Sequence, residues 1–396
     1  MNSFESQKSL EFLKNSFREY YEKNRMALLP DRFGRREFAF TFFGGKGMLR
    51  HLSFSKKKDF IDFLKERVPA HAYYSSAYYQ KPDAPSMQQK NWMGAELIFD
   101  LDSDHLPNAE RLSYTEALEQ VKKEFKRLVE EFLLQDFGFD EKHLELYFSG
   151  GRGYHCHVKD PMVFDLDSNE RREIVDYITG RDLRDTIIFR QYVSERRQYG
   201  RRIYSGIKTL RMPTPDQPGW KGRISRGIIE IVNEIKKSRD PIKKLQEYGV
   251  KKTTAEKLIR DLSDERVRRI KNGLLDQSKT IRSFFLNSAL RKTAVALSAG
   301  ETDEPVTCDT KRLIRLPYSL HGGTGLRVTK LDIDDLEEFN PLVDAVVFDD
   351  RPIRVRLLQP IKMEMNGENH KLQTGIQDVP RYLAVFLVGK KMAVVA

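Results

Sequence analysis

AELIFDLD at residues 95–102 and LELYFSGGRGYHCHV at 144–158 flank a helical pattern over about 114–135. Both runs alternate apolar and polar side chains, which reads as strand because successive residues on a strand point to opposite faces. In the first run Leu97, Phe99 and Leu101 share one face and turn to a core. Asp100 and Asp102 share the other face, side by side. The helical pattern sets Leu118, Val121, Phe125, Leu128 and Phe132 along one stripe. In the second run a strand over about 144–148 enters Ser149-Gly150-Gly151-Arg152-Gly153 and leaves as a strand carrying His155, Cys156 and His157. Strand, helix, strand, glycine loop and strand in this order predict an α/β domain.

The pattern continues outward from this frame. Residues 4–24 predict an amphipathic helix with Leu10, Leu13, Phe17, Tyr20 and Tyr21 inward. REFAFTFF (36–43), GGKG (44–47) and MLRHLSF (48–54) read as strand, turn and returning strand. A helix is expected over 57–68. The polar, aromatic and Pro-containing stretch 73–92 reads as a loop. After about 180 the chain turns basic and mostly helical, with helices expected over 254–274 and 282–298. Mixed structure returns near 303, with strands near 326–330, 343–348 and 352–360 and a last helix near 379–388. The expected layout is an α/β core over 1–180, a basic helical insertion over 181–290, and a second part of the core over 291–396.

The 396 residues carry 69 Lys+Arg against 58 Asp+Glu, and 39% are hydrophobic, enough for a core at this length. Residues 181–280 hold 26 Lys/Arg against 13 Asp/Glu, so this segment accounts for the whole positive excess. A local basic surface suits a polyanion, because neutralised phosphates release counterions. The competing reading is an ordinary solvated helical surface. Two cysteines cannot make a disulfide framework or a four-cysteine zinc site. No apolar run approaches the roughly 18 residues that would span a bilayer, and the N-terminus is too polar for a signal peptide. A soluble intracellular protein, with no membrane partner, is the expectation.

Three groups of residues can carry chemistry. Asp100 and Asp102 are close enough to repel, so one pKa should rise unless a cation sits between them. Such a pair at a strand end suits a hard ion such as Mg²⁺ or Mn²⁺; the competing reading is an exposed polar strand face. The loop Ser149–Gly153 can approach a phosphate closely, with Ser149, Arg152 and His155 as donors. It could equally be an ordinary glycine-rich hairpin. DEPVTCDTKRLIRLPYSLH (303–321) gathers Lys311, Arg312, Arg315 and His321, with Asp303 upstream. Arg312 and Arg315 are three apart, which on a helical turn would place them on one face. Cys156 reads as a small core residue opposite the face of His155 and His157.

Together these groups resemble the small, catalytic subunit of the archaeal and eukaryotic type of DNA primase. The resemblance spans REFAF and MLRHLSF (36–54), ELIFDLD (96–102), LYFSGGRGYHCHV (146–158), NERREIVDYITG (169–180) and DEPVTCDTKRLIRLPYSLHGGTGLRV (303–328). It implies an α/β (α+β) catalytic core with RRM-like strand pairing and an inserted helical subdomain. It implies that Asp100 and Asp102 are metal-binding catalytic acids. The third acid falls on Asp303, eighteen residues before His321, with Asp309 as the competing position. Triphosphate contacts fall on Ser149, Arg152, His155, Arg312, Arg315 and His321. Gly151 stands where some relatives carry another arginine. Glu37 and Arg50 match positions near the active site. Many members carry a cysteine-rich zinc knuckle after the acidic pair; this chain has no cysteine there, so a structural zinc is not carried over.

The resemblance implies template-directed nucleotidyl transfer that makes short primers on single-stranded DNA from nucleoside triphosphates, with two Mg²⁺ or Mn²⁺ ions and a primase large subunit as partner. Two other readings stay open on sequence: a gap-filling or translesion polymerase of the same superfamily, and a non-catalytic RRM-like nucleic-acid-binding protein. The last would need Phe38, Phe40 and Phe42 exposed for base stacking.

Overall fold

The computed structural model describes residues 3–23, 29–105, 111–193, 197–204, 208–275, 279–293 and 306–396. Contacts divide the chain into two units. One comprises Met1–Glu130, Phe139–Val175 and Ala296–Ala396; the other comprises Glu131–Gly138 and Asp176–Val295.

The first unit is built on two four-stranded sheets. One runs Leu313–Arg315, Pro69–Ser75, Phe38–Phe42, Leu49–Leu52, and the other runs Thr329–Leu331, Leu144–Phe148, Gly153–Val158, Leu97–Asp102. Every neighbouring pair in both sheets is antiparallel. The late strands Leu313–Arg315 and Thr329–Leu331 thus join earlier parts of the chain at the edge of each sheet, and the mixed α/β character expected from the sequence is the one observed. A three-stranded sheet, Gly375–Pro380, Pro352–Leu357 and Ala393–Val395, carries the chain's last strands. The apolar helix Arg381–Gly389 runs between two of them.

Local chemistry accounts for these elements. Phe38 and Phe40 are fully buried and pack with Phe54 and Phe60, ring centroids 5.1–6.5 Å apart. Phe38 and Phe40 are therefore core and not a stacking platform for bases, while Phe42 is partly buried. Ser113 caps the helix Tyr114–Arg127 by accepting from the Glu116 amide, and the Glu116 side chain returns the bond to the Ser113 amide. Ala117, Leu118, Val121 and Phe125 form its buried stripe, and π-type turns carry it on to Asp136.

Several expectations are corrected. Residues 73–92 are not one loop: Tyr73 to Ser75 finish a strand, and Ala77–Tyr79 pairs with Trp92–Ala95. The polarity that suggested a loop is internal. Arg36, fully buried, donates to the Ser75 and Ser76 carbonyls at 2.8 and 3.0 Å and to the Tyr78 hydroxyl at 2.9 Å. It also pairs with the buried carboxylate of Glu96. The region 343–348 is not a strand, because Asn340 caps a short helix with Pro341 at its first position.

The second unit holds the helices Gly219–Lys237 and Lys279–Thr293, which pack together. Arg223, buried on the first of them, pairs with Glu131 at 2.8 Å and with Asp136. The helix expected over 254–274 is two, Lys252–Asp261 and Asp264–Lys271, because the Ser263 side chain accepts from the Arg266 amide and starts a new helix. The stretch 190–211 contains strands, with Arg190–Val193 and Lys208–Arg211 antiparallel; its arginines and tyrosines had no helical or strand period that set it apart from its surroundings. No described helix is long and apolar enough to cross a membrane.

Candidate active site

Antiparallel pairing of Leu97–Asp102 with Gly153–Val158 sets Asp100 opposite His155 and Asp102 opposite Gly153. Leu97, Phe99 and Leu101 are buried, while both carboxylates are partly exposed and open into a cavity of about 320 Å³. Ser149, Arg152 and His155 line it from the glycine loop and its strand. Arg312, Arg315 and His321 line it from the later part of the chain. Most ligand pockets are predominantly apolar; this one is walled largely by charged and polar groups.

The glycines let these pieces approach. A Cβ on Gly153 would lie 2.3 Å from the Leu101 carbonyl oxygen. Gly150 has φ +75°, and a Cβ there would meet Cβ of His321 at 2.9 Å. The Ser149 hydroxyl oxygen accepts from the amides of Gly151 and Gly153, 3.2 Å each, and so ties the loop into its turn. The Tyr114 hydroxyl donates to the Gly151 carbonyl. Arg152 pairs with Asp104, whose amide donates to Asp102 Oδ1 at 3.0 Å. The loop cation and the acid strand are thus already linked.

Electrostatics differ from the expected mutual repulsion. Burial pushes the Asp100 carboxyl up, but His155, whose Nε2 lies 3.2 Å from Asp100 Oδ1, together with Arg312 and Arg315, outweighs burial and holds it below the usual range. The groups that hold Asp100 down are protein side chains beside it. Burial lowers the Arg315 guanidinium, and the two carboxylates work against that. Arg315 lies 5.0 Å from the Tyr73 ring centroid and donates to Nδ1 of His71. Burial, then Arg315, pushes His71 down to about 3. His321, its ring 4.7 Å from that of His71, is held well below its usual value by burial, then by Arg315. The Gly323 amide donates to His321 Nδ1 at 3.2 Å. A neutral His321 therefore carries its proton on Nε2, the nitrogen that a Cβ on Gly151 would approach to 3.1 Å.

The arginines reach the cavity by a different route than the one expected. Leu313–Arg315 is a strand paired with Pro69–Ser75, and Arg312 lies in the turn before it. Glu37 and Arg50 pair with each other at 3.2 Å, and buried Glu37 also pairs with buried Lys90 at 2.6 Å. Neither is among the described residues lining the cavity. Asp309 is exposed and caps a turn by accepting from the Lys311 amide at 2.9 Å. Asp303 lies outside the described residues. Among the described residues no group of three or more His, Cys, Asp or Glu side chains is placed to hold a metal.

Four residues escaped the sequence reading: Tyr73 and Lys390 on the cavity wall, His71 behind Arg315, and Asp104 against Arg152. Asp104 continues the period-two spacing of Asp100 and Asp102, so it was within reach. Lys390 follows a buried apolar helix and has no local signal.

The family model described as DNA primase small subunit matches residues 99–333. The chain is 43% identical over 396 residues to the DNA primase small subunit PriS of Methanothrix thermoacetophila, covering 98% of each chain. It is 42% identical over 403 residues to that of Methanosarcina acetivorans (98% and 96% covered) and 40% identical over 389 residues to that of Methanocella arvoryzae (95% and 96%). Full-length identity at this level, together with the family match, leads to one conclusion: the chain belongs to the DNA primase small subunit family.

Proposed function

We propose that the cavity beside Asp100 and Asp102 is where this chain, as the primer-synthesising nucleotidyltransferase of a DNA primase, joins nucleotides on a single-stranded DNA template. The observation that carries the reading is the convergence in one cavity of two carboxylates from one strand with arginines from two separate parts of the chain. Carboxylates facing phosphates would repel them unless a cation is shared, and oxygen donors of this kind fit Mg²⁺ or Mn²⁺. Asp100 and Asp102 would hold such ions, with Asp303 as the third acid by resemblance. When bound, the ions would lower the pKa of the attacking 3′-hydroxyl and offset charge on the departing pyrophosphate.

The chain's own side chains complete the site. His155 fixes the orientation of Asp100. Arg312 and Arg315 neutralise the triphosphate, and Arg152 exchanges Asp104 for a phosphate oxygen. Neutral His321 donates one hydrogen bond from Nε2 without adding charge. The family's name implies a large subunit as companion, and the basic segment 181–280 is available to template, primer or that partner. Mn²⁺ titration followed by electron paramagnetic resonance tests the acids directly. The native chain should bind Mn²⁺ and an Asp102→Asn variant of equal thermal stability should bind it at least tenfold more weakly; equal binding would remove Asp102 from the metal site.

A further inference from the structure

Lys390 stands on the wall of the same cavity, delivered there by the end of the helix Arg381–Gly389. Its placement is built in. A Cβ on Gly389 would lie 2.9 Å from the Gly323 carbonyl oxygen and 3.3 Å from that of Gly322. The helix end is therefore pressed against the backbone that follows His321, at a distance only glycine permits. On its other side the ammonium sits 4.7 Å from the Tyr114 ring centroid. The same tyrosine bonds the glycine loop at Gly151. Lys390 is thus held between two elements that already bear on the proposed triphosphate site.

Its electrostatic situation differs from that of Arg152 and Arg315. Arg152 is engaged by Asp104 and Arg315 by His71. Lys390 makes no ion pair and no side-chain hydrogen bond with any described residue, while being only partly exposed. Burial, then Arg152, lowers its pKa, with Asp102 and Asp104 opposing. A lysine just past a helix end often serves only the helix dipole, but such a lysine extends into water. This one lies on a cavity wall, with three donors on a flexible stem and no acceptor among the described residues.

We propose that Lys390 contacts the outer phosphates of the incoming nucleoside triphosphate and so makes the site discriminate triphosphates from monophosphates. The assignment rests on the nucleotide-site reading above. The α-phosphate must lie at Asp100 and Asp102 for transfer, which leaves the β- and γ-phosphates for cations farther along the wall. Lys390 and Arg152 lie beside the glycine loop and His321, where those phosphates would run.

Equilibrium binding of ATP and of AMP to the full chain, with Mg²⁺ and without template, tests the proposal. Native chain, Lys390→Ala and Lys390→Arg are compared, with thermal midpoints measured alongside. Loss of one charge-assisted contact should weaken ATP binding by about tenfold or more. AMP binding should stay within about twofold, and Lys390→Arg should recover part of the loss. In primer synthesis, KM for the nucleotide should rise more than kcat falls. Equal weakening of ATP and AMP, or unchanged ATP binding in Lys390→Ala, would overturn the role. A native chain that binds ATP no better than AMP would instead count against the nucleotide-site reading itself.

Discussion

Gly153→Ala is the substitution with the most direct structural consequence. The added methyl would start 2.3 Å from the Leu101 carbonyl oxygen, 3.1 Å from Cα of Asp102 and 3.2 Å from the Leu101 carbonyl carbon. All three are backbone atoms, so no side chain can swing aside. Ordinary contact begins at 3.4 Å, and the two strands must therefore separate by about 1 Å at this point, an overpacking strain of about 1–3 kcal/mol. That separation falls at the Asp102 to Gly153 register pair, so it moves a proposed catalytic carboxylate relative to the glycine loop. A misplacement of about 1 Å in such a site lowers activity by about 10²-fold. The assay is primer synthesis by the purified variant, paired with its thermal midpoint and far-ultraviolet dichroism. The expected outcome is a folded protein, a few degrees less stable, with kcat/KM down by about two orders of magnitude. A folded variant with native activity would show that the Asp102 to Gly153 spacing does not matter to catalysis.

Other consequences can be checked separately. Arg36→Met should leave Glu96 buried and less well paired; losing one partner of a buried ion pair costs about 3–5 kcal/mol, so the thermal midpoint should drop sharply, and a shift within error would contradict the structural importance of this pair. His71 has a folded pKa of about 3 against an ordinary 6.5, so between those values the unfolded chain binds more protons and stability falls as pH falls. The contribution is about 1.4 kcal/mol per pH unit. His71→Asn should lessen the acid-induced loss between pH 6.5 and 5 in denaturant unfolding, and equal pH slopes would refute the buried, neutral state of His71. Neutralising lysines and arginines within 181–280 should flatten the salt dependence of single-stranded DNA binding; an unchanged slope would assign that surface to something other than DNA.

The residues that could be read from sequence were those whose chemistry repeats locally. Alternation alone separated Asp100 and Asp102 from Leu97, Phe99 and Leu101, and the burial follows it. The three-residue spacing of Arg312 and Arg315 misled, because helix geometry was assumed where Leu313 begins a strand; both still reach the cavity because Arg312 lies in the turn ahead. The Tyr-Ser stretch at 73–79 misled for a related reason. Its Ser75 and Ser76 carbonyls and Tyr78 hydroxyl accept from Arg36, which is distant in sequence and looks like a surface residue until Glu96 is placed against it. The depressed Asp100 also lay beyond reading, since the side chains that lower it come from a neighbouring strand and from a segment more than two hundred residues later. Lys390 is the extreme case: only the close packing of Gly389 on Gly322 and Gly323 brings it to the site.

De novo primer synthesis by the purified chain is the measurement closest to the central claim. Single-stranded DNA, labelled nucleoside triphosphates and Mg²⁺ or Mn²⁺ would be supplied, with and without an annealed primer, beside an Asp100→Asn variant matched in thermal stability. The account predicts short products from the native chain and at least a hundredfold less from the variant. Native-level synthesis by Asp100→Asn would contradict the placement of catalysis at this cavity.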